Sequence, residues 1–166
     1  MIVEGTVATY IHGLGNTGVI VAFDADDAVK AHADFAETAK NITLQIAAGS
    51  PPAYIAKEDV PQSAIDEEME ILMAQAKNDP KLASKPEEVL KKILSGKLGK
   101  FYERVCLLNQ EYVKDDSLTV GKYIAQSAKA FGGAISVKSF VIFEKGEGIA
   151  KREENFADEI AKMVNG

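Results

Sequence analysis

Cysteine, histidine and tryptophan are almost missing from this chain, and each shortage removes a class of function. Of 166 residues one is Cys, two are His and none is Trp. A single thiol, Cys106, cannot build an intramolecular disulfide framework and suits a reducing compartment. Two histidines, His12 and His32, without a cysteine near either, fall short of the three or four ligands that a metal site needs, so no metal is expected. A basic excess is absent too: 19 Lys and Arg stand against 25 Asp and Glu, a net charge of -6. That balance argues against direct nucleic-acid binding, which needs a lysine- and arginine-rich face. No secretory pattern opens the chain and no apolar run reaches the ~18 residues of a membrane span, so the reading is cytoplasmic, with no membrane contact.

Against these absences, 46% hydrophobic and 27% charged residues are globular proportions. Val3 to His12 and Gly18 to Phe23 suit strands, and the four-residue connection Gly13-Leu14-Gly15-Asn16 predicts an antiparallel hairpin. Asp24, Asp26 and Asp27 stand where a helix would begin. From there Ala28, Ala31, Phe35, Ala39, Ile42 and Ile46 share one face of a single helix running to about Ala48. Gly49, Ser50, Pro51 and Pro52 stop it, and residues 44 to 61 form a joint to a more charged region.

Beyond the joint, Gln62 to Asn78 reads as a helix ended by Pro80. Ser84-x-x-Glu87 has the capping-box pattern and would start a second long helix containing Val89, Leu90, Ile93, Leu94, Leu98, Phe101 and Val105. Facing apolar stripes make the two an antiparallel helical hairpin. Residues 107 to 118 read as an extended return with a turn at Asp115 and Asp116. Thr119 caps a helix over Val120 to Phe131, Gly132 and Gly133 stop it, Ile135 to Phe143 is the third strand, and Phe156 to Val164 a last amphipathic helix. The expected fold is α+β, a three-stranded antiparallel sheet with helices on one face. Its core, residues 1–61 with 107–166, forms one domain carrying a projecting helical hairpin, 62–106.

Several patterns that could mean chemistry have plainer readings. Gly13 to Gly18 fits G-x-G-x-x-G, but strand rather than helix follows the last glycine, so the dinucleotide reading fails in context. Cys106 sits among Val105, Leu107 and Leu108 with no histidine base nearby. Adjacent glutamates, Glu67 with Glu68, Glu87 with Glu88 and Glu153 with Glu154, point in different directions on a helix and read as solvated faces. The lysines of residues 95 to 100 lack a P-loop pattern. An enzyme using Asp24 or Glu147 as a base would need a deep polar pocket. The residues alone thus favour a protein-binding chain without cofactor or catalytic site.

Four stretches in order resemble the C-terminal part of elongation factor Ts: Leu44 to Ala48 with Tyr54-Ile55 and Glu58 to Pro61; Lys85 to Glu87 through Gly96 to Leu98 and Lys100 to Tyr102; Val105 to Gln110 with Val113 to Asp115 and Thr119 to Gly121; and Phe143 to Ile149. The resemblance implies a guanine-nucleotide exchange factor for elongation factor Tu, acting by binding energy rather than by chemistry. It carries a Tu-docking role to Gln45, Ile46, Ala47, Ala48 and Tyr54, with Gln45, off the apolar stripe, the better contact. Gly49 to Pro52 is one residue longer than the family's connection. The family's N-terminal helical domain and its T-D-F-V segment find no counterpart in these residues, so the chain looks like the C-terminal portion, able to bind Tu or to form a homodimer yet poor at exchange. The alternative is a dimerisation or protein-interaction module that uses the hairpin.

Overall fold

The computed structural model describes residues 5–147. β1 (Thr6–His12) and β2 (Thr17–Ala25) form the antiparallel hairpin expected from the sequence. Gly13, Leu14 and Gly15 take φ of 60°, 56° and 87°, the left-handed region in which glycine is free of penalty. β5 (Ile135–Glu144) pairs antiparallel with β2, giving a three-stranded sheet in the order β1-β2-β5. A register shift at Ala22 and Phe23 passes over Lys138, whose ammonium lies 3.3 Å from Asp24.

Alternation gives the sheet two different faces. Val19, Val21 and Phe23 point inward with Ala8, Val137, Phe140 and Ile142, where α2 (Phe35–Ala48) and α6 (Val120–Phe131) supply Phe35, Ala39, Ile42, Ile46, Val120 and Ile124. On the outward face Val7, Ile11, Ile20, Val141 and Phe143 are between 39% and 73% exposed. Thr9, Ile20 and Val141 lie in register across the three strands, as do Ile11, Gly18 and Phe143.

The single helix expected from Ala28 onward is two. α1 (Asp27–Lys30) is followed by a break at 31–34 before α2 begins. Val29 and Phe35 are both buried, whereas Ala28 and Ala31 are exposed. Six residues of continuous helix would set Val29 and Phe35 about 120° apart around the axis, so the chain re-phases to bury both. Of the three aspartates, Asp27 pairs with Lys30 at 2.7 Å, while the Asp26 carboxylate accepts the N–H of Ala134 at 2.7 Å instead of capping α1.

The helical hairpin is present. α3 (Gln62–Asn78) and α5 (Glu87–Val105) meet along two apolar clusters: Leu72, Ala76 and Leu94 with Met69, Leu82 and Leu90 toward the tip, and Val60, Phe101 and Cys106 with Ile65 and Leu98 at the base. Ser84 does not cap α5, whose N-cap position is Pro86. Asp79 caps an additional short helix, α4 (Pro80–Ala83), by accepting from the N–H of Lys81 at 2.9 Å. Ser84 closes that helix, its hydroxyl donating to the Pro80 carbonyl at 3.3 Å, and Pro86 precedes α5. Pro80 opens α4, since a first-turn proline forfeits no helical hydrogen bond.

The return is more structured than a single extended run. A 3-10 turn over Leu107–Asn109 leads into β3 (Glu111–Tyr112) and β4 (Asp115–Thr119), an antiparallel pair. Its turn is Val113-Lys114, because Tyr112 pairs with Asp115, so Asp115 and Asp116 lie in the strand. Thr119 does cap α6, accepting from the N–H of Lys122, and Gly132 ends it at φ 77°. Val3 and the amphipathic segment Phe156 to Val164 lie outside the described residues.

Candidate functional site

The candidate site is the end of α2 with the joint that follows. Gly49 leaves the helix extended, its N–H donating to the Gln45 carbonyl at 3.1 Å, and Pro51 and Pro52 carry no N–H to continue the ladder. The joint then pairs with the return from the hairpin. The N–H groups of Ala53 and Tyr54 donate to the Val105 carbonyl, and those of Leu107 and Leu108 donate to the carbonyls of Tyr54 and Ile55, at 2.9 to 3.0 Å. Asp59 secures the next turn by accepting from the Ala56 N–H at 2.8 Å. Two segments far apart in sequence thereby hold one ribbon at the hairpin base.

The expected site residues divide by burial. Gln45 and Ile46 are inside, at 2% and 1% exposed; Ala47 and Tyr54 are half-buried and Ala48 is exposed. Gln45, expected as the better contact because it lies off the apolar stripe, is thus not on the surface. α2 is covered on two sides, by the sheet and by the return with α6, so a residue off the sheet-facing stripe is still buried. Thr38, Asn41 and Gln45 line that second side. The Asn41 amide donates to the Tyr123 hydroxyl at 3.0 Å and accepts from Lys114 at 2.6 Å. Sequence reading missed this polar row and its partner Gln110; the one available signal was the three-to-four spacing of positions 38, 41 and 45.

Two open clefts flank the site. One, about 380 Å³, lies between the helix end and α5, bordered by Gly49, Ser50, Lys100, Arg104, Gln110 and Glu111. The other, about 300 Å³, lies between Tyr54 and β5, bordered by Ile55, Asp59, Lys138 and Phe140. Lys100 bonds Glu103, which raises its pKa and keeps it charged. Arg104 reaches Glu68 on the other hairpin arm at 3.3 Å and stacks over Phe101. Cys106 is fully buried, and burial pushes its thiol up. The first cleft is bordered mainly by amide and charged side chains, and the second by Tyr54, Ile55 and Phe140 beside Asp59 and Lys138. Among the described residues no group of three His, Cys, Asp or Glu is arranged to hold a metal, and no helix is long and apolar enough to cross a membrane.

The family model described as "Elongation factor TS" matches residues 1–147. The chain belongs to the elongation factor Ts family. It is 43% identical over 164 residues to elongation factor Ts of Acetivibrio thermocellus, covering 98% of this chain and 74% of that relative. It is 43% identical to the Clostridium acetobutylicum protein and 46% identical to that of Clostridium botulinum, in each case over 97% of this chain and 50% of the relative. The chain therefore spans about three quarters of some family members and half of others. Of the four stretches that carried the resemblance, three, namely the α2 end with the joint, the hairpin and the return, meet at the hairpin base.

Proposed function

We propose that this chain acts in translation elongation as the C-terminal portion of a guanine-nucleotide exchange factor, docking on the third domain of elongation factor Tu through the end of α2. Membership of the elongation factor Ts family carries this reading. Ala47, Ala48 and Tyr54 offer the surface, while Gln45 and Ile46 support it from beneath. Exchange of this kind uses no cofactor and no covalent step. The factor binds more tightly to a Tu conformation with weakened magnesium and phosphate contacts, and nucleotide affinity falls by the difference in binding. Docking at one surface supplies a part of that difference, so these 166 residues alone accelerate exchange weakly. The reading places the chain in the cytoplasm.

The test is release of fluorescent GDP from Tu, with binding measured alongside. The chain is expected to bind Tu but to accelerate release far less than a full-length family member. Ala48→Arg, which leaves the core untouched, is expected to weaken binding about tenfold, the effect of ~1.4 kcal/mol. Full acceleration by these residues would sink the weak-exchange part, and unchanged binding by Ala48→Arg would sink the docking surface.

A second reading, self-association, is favoured by the outer face of the sheet rather than by the hairpin. Its five large apolar residues are exposed together on paired strands, whereas the hairpin buries its seam between its own arms and exposes Ile71 and Met73, two positions apart on α3 and so on different faces, and Val89 on α5.

A further inference from the structure

Gln45 and Gln110 are buried, at 2% and 6% exposed, and their amides gather four separate segments. Gln45 Nε2 donates to Gln110 Oε1 at 3.4 Å and to the Glu111 carbonyl at 3.1 Å, and Gln45 Oε1 accepts the N–H of Val113 at 2.8 Å. Gln110 Nε2 donates to the carbonyls of Ser50 at 2.9 Å and Arg104 at 3.2 Å. The segments so joined are α2, the joint at Ser50, the last turn of α5, and the return at Glu111 and Val113.

We propose that this glutamine pair is the device that fixes the direction in which the helical hairpin leaves the sheet layer. The hairpin is otherwise attached at its base by two chain crossings, by the apolar cluster of Val60, Phe101 and Cys106, and by the backbone bonds of the ribbon, which reach α5 only at the Val105 carbonyl, where the N–H groups of Ala53 and Tyr54 donate. Apolar contact holds elements together without a preferred direction, whereas hydrogen bonds weaken steeply once their angle is lost. The Arg104 carbonyl lies in the last turn of α5, where carbonyls have no partner inside the helix. Gln110 gives it one and holds Ser50 with the same nitrogen, so the axis of α5 is tied to the end of α2. Gln45 in turn holds the backbone on either side of Tyr112, so Gln110 cannot shift with the return without breaking the Gln45 bonds. Gln45 and Gln110 are positioning residues, acting through the backbone they hold.

The inference goes beyond the docking proposal, and its test does not involve Tu. Nitroxides placed by Lys85→Cys near the hairpin tip and Gln126→Cys on α6, both exposed positions, report the hairpin's direction as a distance distribution measured by pulsed electron resonance. Cys106 is fully buried and does not label. Gln110→Met removes the donors while conserving apolar volume, and the distribution is expected to at least double in width while far-ultraviolet circular dichroism stays that of the parent. A folded variant with the parent's distribution would overturn the proposal. Should Gln110→Met fail to fold, Gln110→Glu gives the same information. Its carboxyl can donate to one of the two carbonyls only when protonated, so the distribution is expected to be narrow in acid and broad at neutral pH; equal widths at both, with the parent chain unchanged between them, would overturn it.

Discussion

Gly133 stands where two loops approach within contact distance. A Cβ built on it would lie 2.8 Å from both the Asp26 carboxylate and the Val29 side chain. Neither neighbour is free to give way, since Asp26 accepts the Ala134 N–H and Val29 is fully buried. Gly133→Ala is therefore expected to cost ~1–3 kcal/mol of stability by chemical denaturation, the range for forcing atoms into a packed site. Gly99 gives the opposite sign. It lies inside α5 with nothing within 4 Å of a built Cβ, so Gly99→Ala is expected to gain about 0.5–1 kcal/mol through helix propensity. Cys106 contributes a pH dependence. Burial raises its thiol above the ordinary 9.0, against the opposing pull of Lys57. The folded chain then keeps a proton that the unfolded chain loses, so this contribution is fully present below pH 9.0 and is lost as pH rises through the higher folded value. Melting temperature is expected to fall from pH 9.0 upward, and less steeply in Cys106→Ala; parallel profiles would refute the assignment. Tyr112 acts in the same sense, raised by burial, while in its stacked partner Tyr123 burial is outweighed by hydrogen bonding with Asn41 and Thr38 that lowers the hydroxyl. The cysteine is thus the cleaner probe.

At the scale of elements, the hairpin divides into a distal cluster around Leu72 and Leu94 and a basal one around Phe101, both separate from the sheet core. Leu94→Ala removes a buried side chain from the distal cluster at a cost of ~2–5 kcal/mol. Because the clusters are separate, hydrogen exchange should show amides of α3, α4 and the first half of α5 losing protection while β2 keeps it. Uniform loss would mean one cooperative unit. The arms were legible from sequence because each runs long enough for the three-to-four spacing to repeat. α4 was not, since four residues complete barely one turn, and Ser84-x-x-Glu87 misled because a capping box is a local pattern, and with Pro86 at the N-cap α5 starts two residues later than the box would place it. The break before α2 was hidden for a related reason: alanines kept a plausible phase where tertiary burial of Val29 required another. The α2 end was legible as a site from its prolines and from family resemblance. Gln45's burial was not, because hydrophobic periodicity finds one buried face and α2 has two.

The whole molecule places the α2 side, where docking is proposed, and the bare sheet face on different sides of one layer, and that separation decides what self-association would do. The five outward apolar residues expose on the order of 500 Å², near the upper range for a lone monomer's patch. No charged residue lies among the rows Thr9-Ile20-Val141 and Ile11-Gly18-Phe143. Two such sheets can pack face to face about 10 Å apart, and a two-fold arrangement lets one face serve both partners. Rim residues would bring the contact toward the ~800 Å² per partner of a specific interface. The chain is therefore expected to be dimeric by light scattering at high protein concentration, and Val141→Glu, which puts a charge into the central row, should leave it monomeric, with the parent's melting transition at dilutions where the parent is itself monomeric. A parent chain that stays monomeric, or a Val141→Glu chain that stays dimeric, would remove this face as the contact. Because α2 lies on the opposite side of the sheet, the same substitution should leave Tu affinity within about twofold, a difference near 0.4 kcal/mol. Loss of both properties together would mean that docking needs the dimer.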